Sequence, residues 1–232
     1  MKSFRYQVKR LSNKLGFDLY PFDNRNSIQN YLSFLFARYD IRDLIDIGAN
    51  KGQYHNMIRN MGYKGSVYLI EPLEKEWNFL KKNIVSKKTI LLERMAIGEK
   101  EEIKILYETK NSVSSSLKRK LEEKDIISEN EVKVRCLDNV VREINKEDLF
   151  IKIDSQGHEY EIVSSLKSSL PQIKFIQAEL AINPSYAGEK NYLENIDMFK
   201  TIGFELIFLF PGIRDKEGFL SEIEAIFINS KI

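Results

Sequence analysis

A single cysteine, Cys136, has no partner for an intrachain disulfide, and with only two histidines, His55 and His158, the chain cannot build a zinc-finger type of site. An excess of charge of one sign is also missing. The chain carries 36 basic and 34 acidic side chains, interspersed, for a net charge of +2, which argues against a dedicated nucleic-acid binder. No apolar run approaches the length of a transmembrane helix. The N-terminal stretch has Lys2, Arg5, Lys9, Arg10 and Lys14 but no continuous apolar core, so it does not read as a signal peptide, and a cytoplasmic location is expected. Residues 1–26 read as a cap on the core, with peripheral contact to an anionic membrane surface as the alternative. No linker, repeat or low-complexity segment divides the rest. The expected organisation is a helical cap over residues 1–40 and one α/β domain over residues 41–232. The dinucleotide fingerprint G-x-G-x-x-G is absent as well.

What the chain does have is a run from Leu44 to Tyr54, in which an apolar strand, Leu44 to Ile47, turns through Gly48 and Gly52 into a helix with Tyr54, Met57, Ile58 and Met61 on one face. This is the opening strand–turn–helix of a nucleotide-binding α/β domain, with Asp46 near the carboxyl end of the strand, where open sheets place their sites. The glycines are expected to let backbone approach a ligand, or else to permit a tight turn and close helix packing. Ahead of this unit, Asn26 or Ser27 caps a helix with Ile28, Tyr31, Leu32, Leu35, Phe36 and Tyr39 on its core face. After it, Ser66 to Ile70 forms a second strand ending in Glu71-Pro72. An acid about twenty residues beyond the first glycine, at a strand tip, suits a vicinal diol such as a ribose.

Further strands are expected at Thr89–Ala96, 103–107, 132–137, 149–154, 173–180, 204–210 and 223–228. Between them lie helices after Pro72, after Asp138, after Gly157 and over 191–202, and a charged helix or hairpin over 117–125. The second informative block is Lys152-Ile153-Asp154-Ser155-Gln156-Gly157-His158-Glu159. Its strand tip, Asp154, would face the same crevice as Asp46 and Gly48. Asp154 is a candidate to accept a proton or orient a second reactant. His158, with an ordinary pKa near 6.5, is a candidate general base, against the plainer reading of a histidine at a helix start. Glu179 at the next strand tip and Tyr186 in the loop 183–190 are candidates for substrate contact; Tyr186 either stacks on a ring or anchors its loop. Oxygen ligands would suit magnesium or calcium, but no spacing establishes a metal site, and a divalent ion is left open.

The run Ile45 to Tyr54 resembles motif I of the class I S-adenosylmethionine-dependent methyltransferases, and specifically the FkbM family. The Lys152-Ile153-Asp154 and Gly157-His158-Glu159 elements are similar to that family's second signature, and the resemblance spans about residues 41–228. It implies a Rossmann-like, mostly parallel sheet with an antiparallel C-terminal end and helices on both faces. It further implies S-adenosylmethionine held by Asp46, Gly48, Asn50, Gly52 and Glu71, with the adenine at Ala96. A serine segment containing Ser115 would lie near the mouth, with Glu159, Glu179 and Tyr186 toward the acceptor and Asp154 and His158 as catalytic candidates. The implied activity is methylation of a hydroxyl on a sugar, glycan or small natural product. One departure stands out: many relatives carry an acid where this chain has Gln156, which bears on acceptor orientation and on any ion site. The competing readings are a non-catalytic domain that binds a glycan or protein, an NAD-dependent oxidoreductase, and a nucleic-acid methyltransferase. The last lacks support from charge and has no Asn-Pro-Pro-Tyr-like element.

Overall fold

The computed structural model describes residues 27–121 and 126–231, together with Val8, Leu11, Ser12, Lys14 and Leu15. Most of the N-terminal leader therefore lies outside the described residues, as do Glu122 and Glu123 of the charged segment. Helix α1 (Ile28–Arg38) starts where Ser27 accepts a hydrogen bond from the Asn30 amide at 3.2 Å. There follow β1 (Asp43–Ile47), α2 (Gln53–Asn60), β2 (Ser66–Ile70), α3 (Glu74–Asn83), β3 (Thr89–Leu91), β4 (Ala96–Gly98) and β5 (Glu102–Thr109). The chain continues through β6 (Ile126–Cys136), α4 (Leu137–Ile144), β7 (Leu149–Ile153), α5 (Glu159–Ser164), β8 (Ile173–Ala181), α6 (Tyr192–Thr201), β9 (Phe204–Pro211) and β10 (Glu222–Asn229). No helix among the described residues is long and apolar enough to cross a membrane.

Seven strands form the main sheet in the order β3-β2-β1-β7-β8-β10-β9. The first five are parallel, β10 runs antiparallel to β8, and β9 antiparallel to β10. Strand order reverses between β1 and β7, so their carboxyl ends open a crevice at the switch point. The pleat sends alternate side chains to opposite faces. Ile45, Ile47, Ile151 and Ile153 pack with residues of α4, α5 and α6, whereas Leu44, Phe150, Val67 and Leu69 pack with α1, α2 and α3. These are the expected class I sheet and its two helical layers.

Four expectations change. The single strand over Thr89–Ala96 divides. The chain leaves the main sheet after β3, where the Trp77 indole donates to the Leu92 carbonyl at 2.9 Å, and β4 joins a second, three-stranded sheet, β4-β6-β5. In that sheet β6 begins well before Val132, because Ile126–Glu131 pair antiparallel with β5 although their side chains are mostly solvated. Residues 117–121 are not helical. They lie along the loop 185–187, with Leu121 N–H donating to the Ser185 carbonyl at 2.9 Å and Ala187 N–H to that of Arg119 at 2.8 Å. Asp138, expected just before its helix, sits inside the first turn of α4. It accepts from the amides and hydroxyls of residues 167–169 at 2.7–2.8 Å, and so ties α4 to the segment after α5.

Candidate active site

A cavity of about 260 Å³ opens at the switch point. Its walls include Asp46, Gly48, Ala49 and Asn50 after β1, Glu71 to Leu73 after β2, Ala96 and Ile97 of β4, and Asp154 to Gln156 after β7. Leu106 of β5 and the serine segment Ser112–Leu117 close it from the second sheet. Asn50 Nδ2 donates to Ser112 Oγ at 3.1 Å, and Ser116 Oγ donates to the Gln156 carbonyl at 2.7 Å, which joins this cover to both strand tips. Ser115 lines the cavity, its Oγ accepting from the Thr109 amide at 3.0 Å.

The glycine turn works differently from one of the two expectations. Both Gly48 and Gly52 have φ of +81°, a conformation that disfavours side-chain-bearing residues. A Cβ on Gly48 would stand 1.9 Å from the Asp154 carbonyl oxygen, so the close approach there is to the neighbouring strand. A Cβ on Gly52 would meet Leu80 and Ile84, and this glycine packs beneath α3 instead of lining the cavity. Both glycines thus serve the tight turn and close packing; Gly48 also lines the cavity, and Gly52 does not.

Glu71 is buried, and its carboxylate clasps that turn. Oε2 accepts from Asn50 N–H at 2.7 Å and Oε1 from Leu73 N–H at 2.8 Å. Burial pushes its pKa up to about 7, against the pull of those two amides. Each oxygen can accept a further hydrogen bond, and Glu71 lines the cavity. Asp46 is only 1% exposed, and its Oδ2 has no hydrogen-bond partner among the described residues. Burial raises it to about 7 as well, opposed by Lys152 and reinforced by Asp154.

Lys152 is the cavity residue that sequence reasoning passed over as a site candidate. It is the register partner of Asp46 on the adjacent strand, and its own partner on β8 is Gln177. Asp46, Lys152 and Gln177 therefore form a buried polar row across three parallel strands. Lys152 Nζ lies 3.2 Å from Asp154 Oδ2 and 5.7 Å from the centre of the Tyr54 ring. The Tyr54 hydroxyl donates to Gln177 Oε1 at 2.7 Å, and Gln177 Nε2 to Glu224 Oε2 at 2.8 Å. Burial works against the ammonium, but Asp154, Glu224, Asp46 and Glu179 outweigh it and hold the lysine above its ordinary pKa. The signal was present: a polar residue in apolar company at the same strand position in Ile45-Asp46-Ile47, Ile151-Lys152-Ile153 and Ile176-Gln177-Ala178.

Asp154 is gripped from both sides, with Lys152 at Oδ2 and Gln156 Nε2 donating to Oδ1 at 2.9 Å, yet its side chain remains 35% exposed. Gln156 adopts φ of +56° and also accepts from the Tyr186 hydroxyl at 2.9 Å. Tyr186 is buried, and its hydroxyl lies 3.0 Å from the Ser114 carbonyl. The structure thus takes the anchoring alternative for this residue. Glu159 accepts from both the amide and hydroxyl of Ser155 at 2.9 and 2.8 Å, and burial raises it to about 7. Glu159, Glu179 and Tyr186 do not line the main cavity. They surround a small adjoining cleft with Glu189 and Glu222. There, burial and the neighbouring Asp154 and Glu222 push Glu179 up to about 9.

His158 lines the cavity but is 3% exposed and packs against β4 at Gly98. Burial lowers its pKa to about 4, so it is neutral at physiological pH, unlike the base near 6.5 that the residue type alone suggests. His55 is buried on α2, its Nε2 3.0 Å from Thr89 Oγ1, outside the cavity.

A family model for the methyltransferase FkbM domain matches residues 46–206. Among solved structures, the chain is similar to magnesium protoporphyrin IX methyltransferase from Synechocystis, solved with bound S-adenosylmethionine, at 10% identity and TM-score 0.48 with 99% of each chain covered. It is also similar to a SAM-dependent methyltransferase from Anabaena variabilis, at 10% identity and TM-score 0.45 over 99% of this chain and 96% of the other. A TehB-like SAM-dependent methyltransferase from Corynebacterium glutamicum gives 12% identity and TM-score 0.42 over 97% and 96%. No curated protein matches. The family model runs from the tip of β1 into β9 and so takes in the turns after β1, β2 and β7 that line the cavity, and the chain belongs to the FkbM family of S-adenosylmethionine-dependent methyltransferases.

Proposed function

We propose that the acceptor is a hydroxyl group of a sugar, a glycan or a small natural product, and that Asp154 receives its proton. S-adenosylmethionine, when bound, supplies an electrophilic methyl carbon on a sulfonium. The residues present fit that cofactor. Asp46 Oδ2 is a buried acceptor without a partner among the described residues, suited to the cofactor's ammonium group. Glu71 keeps free lone pairs at the tip of β2, suited to the ribose diol. Ala96 and Ile97 offer an apolar wall for the base. Asn50 would carry the turn between these groups.

The observation that carries the acceptor reading is the setting of Asp154. Lys152 and Gln156 hold its two oxygens in place while more than a third of the side chain stays open to a second reactant. A fixed carboxylate can orient an incoming hydroxyl and take its proton as the oxygen attacks. A carboxylate is an acceptor, so it also selects for an O–H or N–H at that position.

The test begins with calorimetric titration of the protein with S-adenosylhomocysteine, S-adenosylmethionine and, as control, NAD. Saturable binding of the sulfur ligands and none of NAD is expected. A hydroxyl-acceptor screen, run with and without magnesium, should then give turnover that Asp154→Asn lowers by about 100-fold or more while S-adenosylhomocysteine affinity is kept. Full activity in Asp154→Asn removes the proton-acceptor role.

A further inference from the structure

The charged side chains on the cavity wall are the carboxylates Asp46, Glu71 and Asp154 and, among the described residues, a single cation, Lys152. Many of the uncharged donors around them are already engaged. The amides of Gly48 and Ala49 both donate to the Ile70 carbonyl at 3.0 Å, and that of Asn50 donates to Glu71 at 2.7 Å. The Ser155 amide and hydroxyl both go to Glu159 Oε1, and the Tyr54 hydroxyl goes to Gln177.

Lys152 differs from these. Its ammonium has three N–H donors. Asp154, at 3.2 Å, is its one ion-pair partner within 4.0 Å among the described residues, which leaves donor capacity unused. Asp154 lines the cavity with 35% of its side chain exposed, so the ammonium beside its Oδ2 stands at the cavity wall. The carboxyl groups around the lysine outweigh its burial and keep it charged. Asp46 and Lys152 are register partners on adjacent parallel strands, so their side chains leave the same face of the sheet about 5 Å apart. An α-amino acid carries its ammonium and its carboxylate on one carbon. Such a head group needs an anion and a cation side by side, and the wall has only this cation to offer.

We propose that Lys152 binds the cofactor's carboxylate next to Asp46, so that the amino-acid end of the cofactor is recognised as a zwitterion. This rests on the reading that S-adenosylmethionine occupies the cavity with its ammonium at Asp46. The charges match in kind: two cationic centres and one anion on the cofactor, three carboxylates and one ammonium on the wall. With one N–H toward Asp154 and another toward the ligand, Lys152 also joins the cofactor to the group that receives the acceptor's proton.

The experiment is calorimetric and compares three ligands: S-adenosylhomocysteine, its decarboxylated analogue, which keeps the ammonium, and its deaminated analogue, which keeps the carboxylate. The wild type should bind S-adenosylhomocysteine about tenfold or more tightly than the decarboxylated analogue, the scale of one charge-assisted hydrogen bond. Lys152→Met, uncharged and of similar length, should bring that ratio close to one while the preference over the deaminated analogue remains. Lys152→Arg keeps the charge and should keep most of the ratio. A lysine that served only the fold or the placement of Asp154 would weaken all three ligands together in Lys152→Met; a ratio unchanged in that variant overturns the assignment. Equal binding of S-adenosylhomocysteine and the decarboxylated analogue by the wild type overturns it as well, and that result needs no variant to fold. Failure of the wild type to bind S-adenosylhomocysteine at all overturns the cofactor reading beneath it, a result distinct from binding that ignores the carboxylate.

Discussion

Glu71 has two tasks at one carboxylate, and they can be separated. It holds the glycine turn through the amides of Asn50 and Leu73, and in the proposed reading it offers its remaining lone pairs to a ribose. Glu71→Ala leaves two buried N–H groups unsatisfied, each costing about 1–3 kcal/mol, so a loss of cofactor affinity in that variant mixes turn and ligand effects. Glu71→Gln retains one acceptor oxygen for the turn. S-adenosylhomocysteine affinity should fall by about 100-fold in Glu71→Ala and by about tenfold in Glu71→Gln, with helix content intact by circular dichroism. Unchanged affinity in Glu71→Ala would remove the ribose assignment. Lys152 belongs to the same scale of argument. A lysine buried in an apolar strand is disfavoured unless paired, and here it is the counter-charge for Asp154, Glu224, Asp46 and Glu179 around it.

At the scale of elements, the cover over the cavity is held by a few contacts, to Asn50 after β1, to β5 and to the loop after β7. Tyr186 from the loop 183–190 meets Gln156 and the Ser114 carbonyl, and Ser116 meets the Gln156 backbone. Tyr186→Phe removes the hydroxyl that links these pieces while keeping the ring against Gly157. It should cost about 1–2 kcal/mol of stability and raise amide hydrogen exchange locally over residues 111–117. Exchange raised equally across β1 and β7 would show that the hydroxyl supports the whole domain and not the cover. How far this element-level picture could be read from sequence follows from burial. The strands of the main sheet and the helices against it announce themselves because their apolar spacing is forced by a two-sided core; β1, β2, β7, β8, β9 and β10 stand where the pattern puts them. The second sheet was hard to read because only Val132 and Val134 of β6 are fully buried, so Ile126–Glu131 look like solvated loop. Residues 117–121 carry helix-like charge spacing, but their backbone finds partners in Ser185 and Ala187, far along the chain and invisible to local pattern. In the site, Asp46, Glu71 and Asp154 were legible because strand tips are where such folds place function. The partners of Asp154, by contrast, depend on strand register and a positive φ at Gln156.

For the whole molecule, the concentration of buried carboxyl groups sets a pH dependence that ties stability to cofactor binding. Asp46, Glu71 and Glu159 titrate near 7 and Glu179 near 9, all raised first of all by burial. Between the ordinary carboxylate range and those values the folded chain holds protons that the unfolded chain has released, so stability falls as pH rises through this window. His158 works in the opposite direction between about 4 and its ordinary 6.5, because the unfolded ring binds the proton there; it offsets one carboxyl group over part of the window. Asp138, lowered to about 2 by the amides and hydroxyls that outweigh its burial, adds stability above its ordinary pKa that is lost only in strong acid. The ligand-free protein should therefore melt at a lower temperature at pH 8 than at pH 5.5. In the proposed reading, cofactor binding acts on Asp46 and Glu71 among these groups. An ammonium beside Asp46 and hydroxyl donors on Glu71 favour the ionised carboxylates, so binding releases protons below about pH 7 and tightens as pH rises. A tenfold gain in affinity adds about 1.4 kcal/mol of stabilisation at saturating ligand, or about 3–5 °C for a chain of this size. The melting-temperature increase caused by a fixed excess of S-adenosylhomocysteine should accordingly be larger at pH 8 than at pH 6, by about that amount, with Asp46→Asn losing most of the difference. An increase that is equal at the two pH values, or larger at pH 6, would mean that the ligand does not engage these two carboxyl groups as anions.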